Sequence, residues 1–323
     1  MVSSESVEGM LTGVASGVVP EAVDPAILML LLGPWAGAFA FVFGLLWGSF
    51  ANVVIWRVPR GQSVIRPRSQ CPGCKRPIAW YDNIPLLSYL WLRGQCRGCG
   101  QAIGMRYLVV ELLAGVLAFS LYMQMVVVPL AQGGGYGLIP WVLWFVFGLA
   151  LLIVTYTDLD LWVIPNVVVL PVAATGLTAA LIDPSWLGVP AAEAAIAASL
   201  GYGLIWGMRW IYRHLRGLEA LGLGDAKLLL MVGAFCGLQG LVWTVAAGAI
   251  QGLVVAIPAV VFGKNLTRHS LAEVHGSDPE LGEEKPGSVM GARVPFGPFL
   301  ALAAIEFMLL RDAIEAWIVA NLL

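Results

Sequence analysis

Charge is what this chain lacks. Of its 323 residues only 12% are Asp, Glu, Lys or Arg, about half the share of a water-soluble domain. Hydrophobic residues make up 59%, more apolar surface than an aqueous globule of this size can bury. A soluble fold is thereby excluded, and an integral membrane protein is expected. Histidine is also scarce: His214, His269 and His275 show no metal-ligand spacing and read as surface residues. No Gly-x-Gly-x-x-Gly turn follows a strand, so the common dinucleotide site is missing, and no nucleic-acid partner is expected. Residues 1–26 carry Glu5, Glu8, Glu21 and Asp24 but neither Lys nor Arg. Such an acidic tail lacks the positive start of a cleavable signal.

What the chain has instead is long apolar runs. A spanning helix needs roughly 20 such residues. About eight windows qualify, near 28–55, 108–129, 139–157, 163–182, 191–210, 226–239, 241–262 and 295–320. The sixth is short enough to be partly re-entrant. The expected fold is all-α, a polytopic bundle of about eight transmembrane helices. Residues 57–107 hold nine of the eighteen basic residues and a single acid, Asp82. Short loops rich in Lys and Arg stay in the cytoplasm, which places 57–107 inside and the N-terminus outside. The domains expected are an acidic extracytoplasmic tail (1–27), a first membrane helix (28–56), a cytoplasmic four-cysteine domain (57–107) and a membrane-embedded remainder (108–323). The remainder includes a polar cytoplasmic loop over 263–293, read as a solvated segment or as a lid or partner contact. Gly133-Gly134-Gly135 reads as a flexible outside loop. The basic residues of 57–107 are expected to face anionic lipid head groups, at about 1 kcal/mol each.

Within that cytoplasmic domain, Cys71-Pro-Gly-Cys74 and Cys96-Arg-Gly-Cys99 form two C-x2-C pairs. Paired knuckles of this kind are a zinc signature. Four thiolates close a tetrahedron with no place for substrate water, so Cys71, Cys74, Cys96 and Cys99 point to structural zinc. Lys75, Arg76 and Arg97 would favour thiolates and offset their charge. Two disulfides or four idle thiols are the alternatives, and a reducing cytoplasm disfavours the disulfides. Cys236, in an apolar helix, reads as a core residue.

Ionisable groups at membrane helices usually mark function. Asp158 ends the third window and Asp225 opens the sixth, and the topology brings both to the cytoplasmic face. Two carboxylates that meet can share a proton and activate water against a peptide carbonyl. Each aspartate could instead simply border a helix, and Asp160 competes with Asp158 for the role. Proton- or cation-coupled transport and a partner-recruiting membrane anchor stand as rival functions.

These residues resemble the type IV prepilin peptidase family. The resemblance runs through Gly48-Ser49-Phe50-Ala51-Asn52-Val53-Val54-Ile55-Trp56-Arg57-Val58-Pro59 and Trp80-Tyr81-Asp82-Asn83-Ile84-Pro85. It continues through Ser88, Arg93-Gly94, Arg106-Tyr107 and Val110-Glu111, then Asp158 with Ile164-Pro165-Asn166. Gly222-x-Gly224-Asp225-x-Lys227 and Pro295-Phe296-Gly297-Pro298 complete it. Ala51 stands where leucine is common, and the 263–293 loop is longer than expected.

The resemblance implies a membrane aspartic endopeptidase of the bacterial inner membrane, multi-pass, with its active site facing the cytoplasm. Asp158 and Asp225 are the implied catalytic pair, since Asp158 stands in the family's register ahead of Pro165 and Asp160 does not. The implied substrates are type IV prepilins or pseudopilins, cut between a short basic leader and an apolar helix that stays in the bilayer. Family members with the cysteine domain also N-methylate the new terminus with S-adenosylmethionine. Glu111 is a candidate to hold that amine, or a partner for Arg106. Lys227 either tunes the aspartates or binds lipid phosphate.

Overall fold

The structure, a computed structural model, describes residues 30–132, 137–216, 222–261 and 295–322. The tail 1–27, Gly133–Gly135 and the 263–293 loop with His269 and His275 lie outside the described residues. Among the described residues there is no strand, only the isolated bridges Gln70–Pro77 and Gln95–Ala102. The all-α expectation holds. Seven long helices follow one another: α1 (Pro34–Arg57), α2 (Met105–Tyr122), α3 (Leu138–Leu161), α4 (Asn166–Ile182), α5 (Ala191–Arg216), α6 (Leu223–Val261) and α7 (Gly297–Leu322).

The ends of these helices follow from local chemistry. Pro34 opens α1, where its missing N–H costs nothing, and Arg57 closes it with the charge its carboxyl-terminal dipole favours. The α2 rod continues through a π-turn (Met123–Val127) into Val128–Ala131. Pro129 cannot donate to the Met125 carbonyl four residues back. The Gly137 N–H takes that carbonyl instead, at 3.0 Å. α3 stops because Trp162 turns left-handed at φ +55 and Ile164 precedes a proline, which disfavours helix.

Five helices are long and apolar enough to cross a bilayer: Trp35–Arg60, Met105–Ala131, Leu138–Leu161, Ala191–Leu215 and Leu223–Pro258. The expected windows all fall on helices, but two of them become one run. Gly237, at φ +64, breaks α6 inside the expected sixth span, near its end at 239. The Glu193 side chain caps the second half by accepting the Leu238 N–H at 3.0 Å. α4 is apolar but only 17 residues long, and α7 carries Glu306, Arg311, Asp312 and Glu315.

α3 and the first half of α6 form the centre. Phe147 of α3 stacks on Phe235 of α6 at 4.6 Å between centroids. Small residues then let backbones close in, the usual device where lipid removes any hydrophobic drive between helices. Gly44 and Gly48 of α1 lie against Glu111, Ala114 and Gly115 of α2. Gly233 of α6 lies on Ala197 of α5, and Gly248 of α6 on Leu300 of α7. Cys236 is buried in α6, the core position expected of it. His214 is exposed on α5 and stacks on Trp210.

Candidate active site

Three helix ends converge: the last turns of α3 and the first turns of α6 and α7. Asp158 sits in α3 one turn before its end, only 7% exposed. Its backbone carbonyl accepts the Trp162 N–H at 3.0 Å, so the helix termination itself fixes the residue. Its carboxylate accepts the backbone N–H of Gly297, the first residue of α7. That amide has no acceptor inside its own helix. Asp225, in the first turn of α6, lies within electrostatic range of Asp158.

The approach is close because glycines line it. A Cβ on Gly297 would fall 2.6 Å from Asp158 Oδ2 and 3.2 Å from Ile164. A Cβ on Gly224 would fall 3.1 Å from the same isoleucine. Ile164 thus packs against the first residues of both α6 and α7. The sequence singled out Gly224 and Asp225 but missed the Gly297 amide. Pro295-Phe296-Gly297-Pro298 was visible as a motif, yet nothing in it announced a donor for a carboxylate 139 positions earlier in the chain.

The neighbouring charges are spoken for. Asp160 forms an ion pair with Arg106 at the start of α2. Lys227 donates to Asn166 Oδ1 at 2.8 Å, a partner neither sequence reading considered. Arg106 therefore pairs with Asp160 and not with Glu111, which corrects one of the two readings of Glu111. That residue is buried between α1 and α2, 8% exposed. Its Oε2 accepts the Leu86 N–H at 2.9 Å, and Ser49 hydrogen-bonds to it as well. Leu86 itself is left-handed, φ +63, so the carboxylate holds a strained corner of the loop between α1 and α2. Ser88 closes the same corner, accepting from the Ile84 N–H and donating to the Tyr81 carbonyl, each at 2.9 Å.

The four cysteines come together, with their sulfurs within 4.8 Å of one another. Two superposable knuckles hold them. Lys75 N–H donates to the Cys71 carbonyl and Gly100 N–H to the Cys96 carbonyl, both at 2.9 Å. Lys75 and Gly100 are both left-handed, and each knuckle is closed by a bridge at the same offset, Gln70–Pro77 and Gln95–Ala102. The repeat Gln-Cys-x-Gly-Cys at 70–74 and 95–99 carried this duplication in plain view. The Cys71 and Cys99 sulfurs are 3.7 Å apart. A tetrahedral ion at about 2.3 Å from each sulfur needs about 3.8 Å between them, so the set fits a metal.

Backbone N–H groups of the first knuckle, that of Cys74 foremost, lower the Cys71 thiol to about 6. At Cys99 the Gln101 amide pulls down, but desolvation and the three neighbouring sulfurs push the thiol up to about 11. Four bare thiols thus resist ionising together, which a cation would relieve. Arg97, expected to assist the thiolates, turns instead to Asp82, Nη2 to Oδ1 2.6 Å. That hydrogen bond is the main reason its guanidinium holds its proton more firmly than usual. Arg76 does stay beside the second knuckle, against Gly98.

Fold and site together define a multi-pass membrane protein with two converging carboxylates and a four-thiol cluster. The model described as "Bacterial Peptidase A24 N-terminal domain" matches residues 42–125, and "Type IV leader peptidase family" matches residues 145–257. A Myxococcus xanthus protein named "Prepilin leader peptidase/N-methyltransferase" is 35% identical over 319 residues, covering 86% of this chain and 91% of its own. Proteins of the same name from Aeromonas salmonicida and Klebsiella pneumoniae are 33% and 42% identical. They cover 90% and 64% of this chain and 96% and 87% of their own lengths. No solved structure gives a significant match. The chain belongs to the type IV leader peptidase family.

Proposed function

We propose that this protein removes the leader of type IV prepilins or pseudopilins and N-methylates the residue so exposed. The observation that carries the proposal is the convergence of Asp158, Asp225 and the Gly297 amide at one end of the bundle. In this reading one carboxylate takes a proton from water while the other hands its proton to the scissile carbonyl oxygen. The water oxygen bonds to the carbonyl carbon, and the C–N bond then breaks as the leaving amine gains a proton. The Gly297 N–H holds Asp158 in place through this exchange, and the glycines leave room for an extended substrate backbone.

The site lies on the cytoplasmic side of a bacterial inner membrane, because Arg57, Arg60 and Arg106 border the four-cysteine module between α1 and α2. Eight crossings follow if the two halves of α6 count separately and α4 and α7 also span. The domains are then the tail 1–27, the helix 28–56, the zinc module 57–107 and the peptidase 108–323 with its 263–293 insertion. Cys71, Cys74, Cys96 and Cys99 hold zinc, which closes the module and takes no part in hydrolysis. S-adenosylmethionine supplies the methyl group. Glu111 keeps free lone pairs beside the Leu86 corner, which makes it our candidate for the substrate amine.

The test is mass spectrometry of a prepilin incubated with purified protein and S-adenosylmethionine. Leader loss is expected with wild type and, more slowly, with Asp160→Asn, but not with Asp158→Asn or Asp225→Asn. A gain of one methyl on the cleaved product reads the second activity, which Glu111→Gln should lose while still cleaving. Cleavage by folded Asp158→Asn or Asp225→Asn would sink the two-aspartate mechanism.

A further inference from the structure

We propose that the Arg106–Asp160 ion pair is a latch that positions Asp158, tying the foot of the four-cysteine module to the last turn of α3. The inference rests on the peptidase reading above. The two partners come from different parts of the chain: Arg106 lies within the matched region 42–125 and Asp160 within 145–257. Nothing local in the chain brings them together, and the bundle does.

Each partner sits at the electrostatically wrong end of its helix. Arg106 is the second residue of α2, where the helix dipole is positive, and Asp160 is next to last in α3, where it is negative. An acid at the first position and a base at the second would suit the helices themselves. The reversed charges offset each other in the pair. Both side chains are partly buried, 24% and 30% exposed, which limits solvent screening.

The latch has a fixed post and a moving part that matters. On the α2 side, Asn52 is 1% exposed and donates to the Tyr107 carbonyl at 3.1 Å and the Gly48 carbonyl at 3.4 Å. It thereby nails the residue after Arg106 to α1. On the α3 side, Asp160 belongs to the turn closed by the Trp162 N–H on the Asp158 carbonyl. Any shift of Asp160 therefore carries Asp158 relative to the Gly297 amide and to Asp225. Arg106 also lies within electrostatic range of Tyr156, one helical turn before Asp160. Glu111, the other acid near Arg106 in the chain, is committed to Leu86 and Ser49. The pair touches none of the reacting groups, so both members are positioning residues.

The test is a double-mutant cycle on the purified full chain, with kcat and KM for prepilin cleavage. Arg106→Gln and Asp160→Asn should each lower kcat about tenfold with KM within about twofold, the signature of lost alignment. The double variant should be no slower than the slower single one, and the exchanged pair Arg106→Asp/Asp160→Arg should recover at least about threefold. Losses that multiply to about a hundredfold in the double variant, or losses confined to KM, overturn the latch. If Arg106→Gln does not fold, Arg106→Lys decides: activity within about threefold of wild type supports the latch and a tenfold loss overturns it. A wild type that cleaves no prepilin overturns the peptidase reading, and the latch with it. An active wild type with multiplying losses overturns the latch alone.

Discussion

Gly297 and Asp158 meet so closely that a single methyl group is decisive. Gly297→Ala would place a Cβ 2.6 Å from the carboxylate oxygen, inside the range real contacts tolerate. The obstacle is flanked by the Ile164 side chain at 3.2 Å, so the alanine has no easy escape and Asp158 must turn away from its amide. Misplacing a catalytic group by about 1 Å costs on the order of a hundredfold in rate. We expect cleavage by Gly297→Ala to fall by about that factor, with helical content by circular dichroism unchanged. A variant that cleaves at the wild-type rate would show that the Gly297 amide does not orient the carboxylate. The contrast with Asp82 is instructive at the same scale. Arg97 is 54% exposed, so solvent screens that bidentate pair; its value is in shaping the loop.

At the scale of elements, the α1–α2 pair governs how the four-cysteine module is mounted. Gly44 and Gly48, one helical turn apart, leave the α2 backbone almost in contact: Cβ atoms there would lie 2.7 Å from Gly115 Cα and from Glu111 Cα. Those are backbone atoms and cannot rotate aside. Gly44→Val should therefore separate the helices and destabilise the protein by about 1–3 kcal/mol or more, seen as a lower melting temperature in detergent. Widening that seam also pulls Ser49 from Glu111, so methyl transfer should suffer before cleavage does. Unchanged melting would mean that the two helices do not depend on this contact. α6 shows the opposite use of glycine, where Gly237 at φ +64 ends one helix and Glu193 caps the next.

For the whole molecule, we expect the bundle and the cysteine module to be separable in their stability. The thiol cluster is built on its own two knuckles, and the helices bury their cores against one another without it. Cys71→Ser/Cys99→Ser should lower bound metal from about one ion per chain to none, measured by elemental analysis of the purified protein. Residues 71–99 should then become sensitive to added protease while the helical melting transition stays in place. Loss of the whole helical transition would show that the metal supports the bundle too.

How much of this was legible in the sequence depends on how local the cause is. Apolar runs fix which segments become helices, since a backbone in lipid must satisfy its own hydrogen bonds. The charge bias gives the face expected of the module, and the Gln-Cys-x-Gly-Cys repeat fixes a knuckle over a few residues. All of these act within one turn or one loop, so they can be read in a line. The break at Gly237 was less legible, because a glycine in an apolar run looks the same whether it packs or turns.

Only the tertiary structure decided which distant groups meet. It gave Asp158 the Gly297 amide, Arg106 the carboxylate of Asp160 in place of Glu111, and Arg97 the carboxylate of Asp82 in place of the thiols. The physical reason is common to all three. A charged or hydrogen-bonding side chain accepts any partner of suitable chemistry within a few ångströms, and that distance is set by helix packing across the bundle. The order of residues along the chain supplies the candidates, and the packing of the helices selects among them.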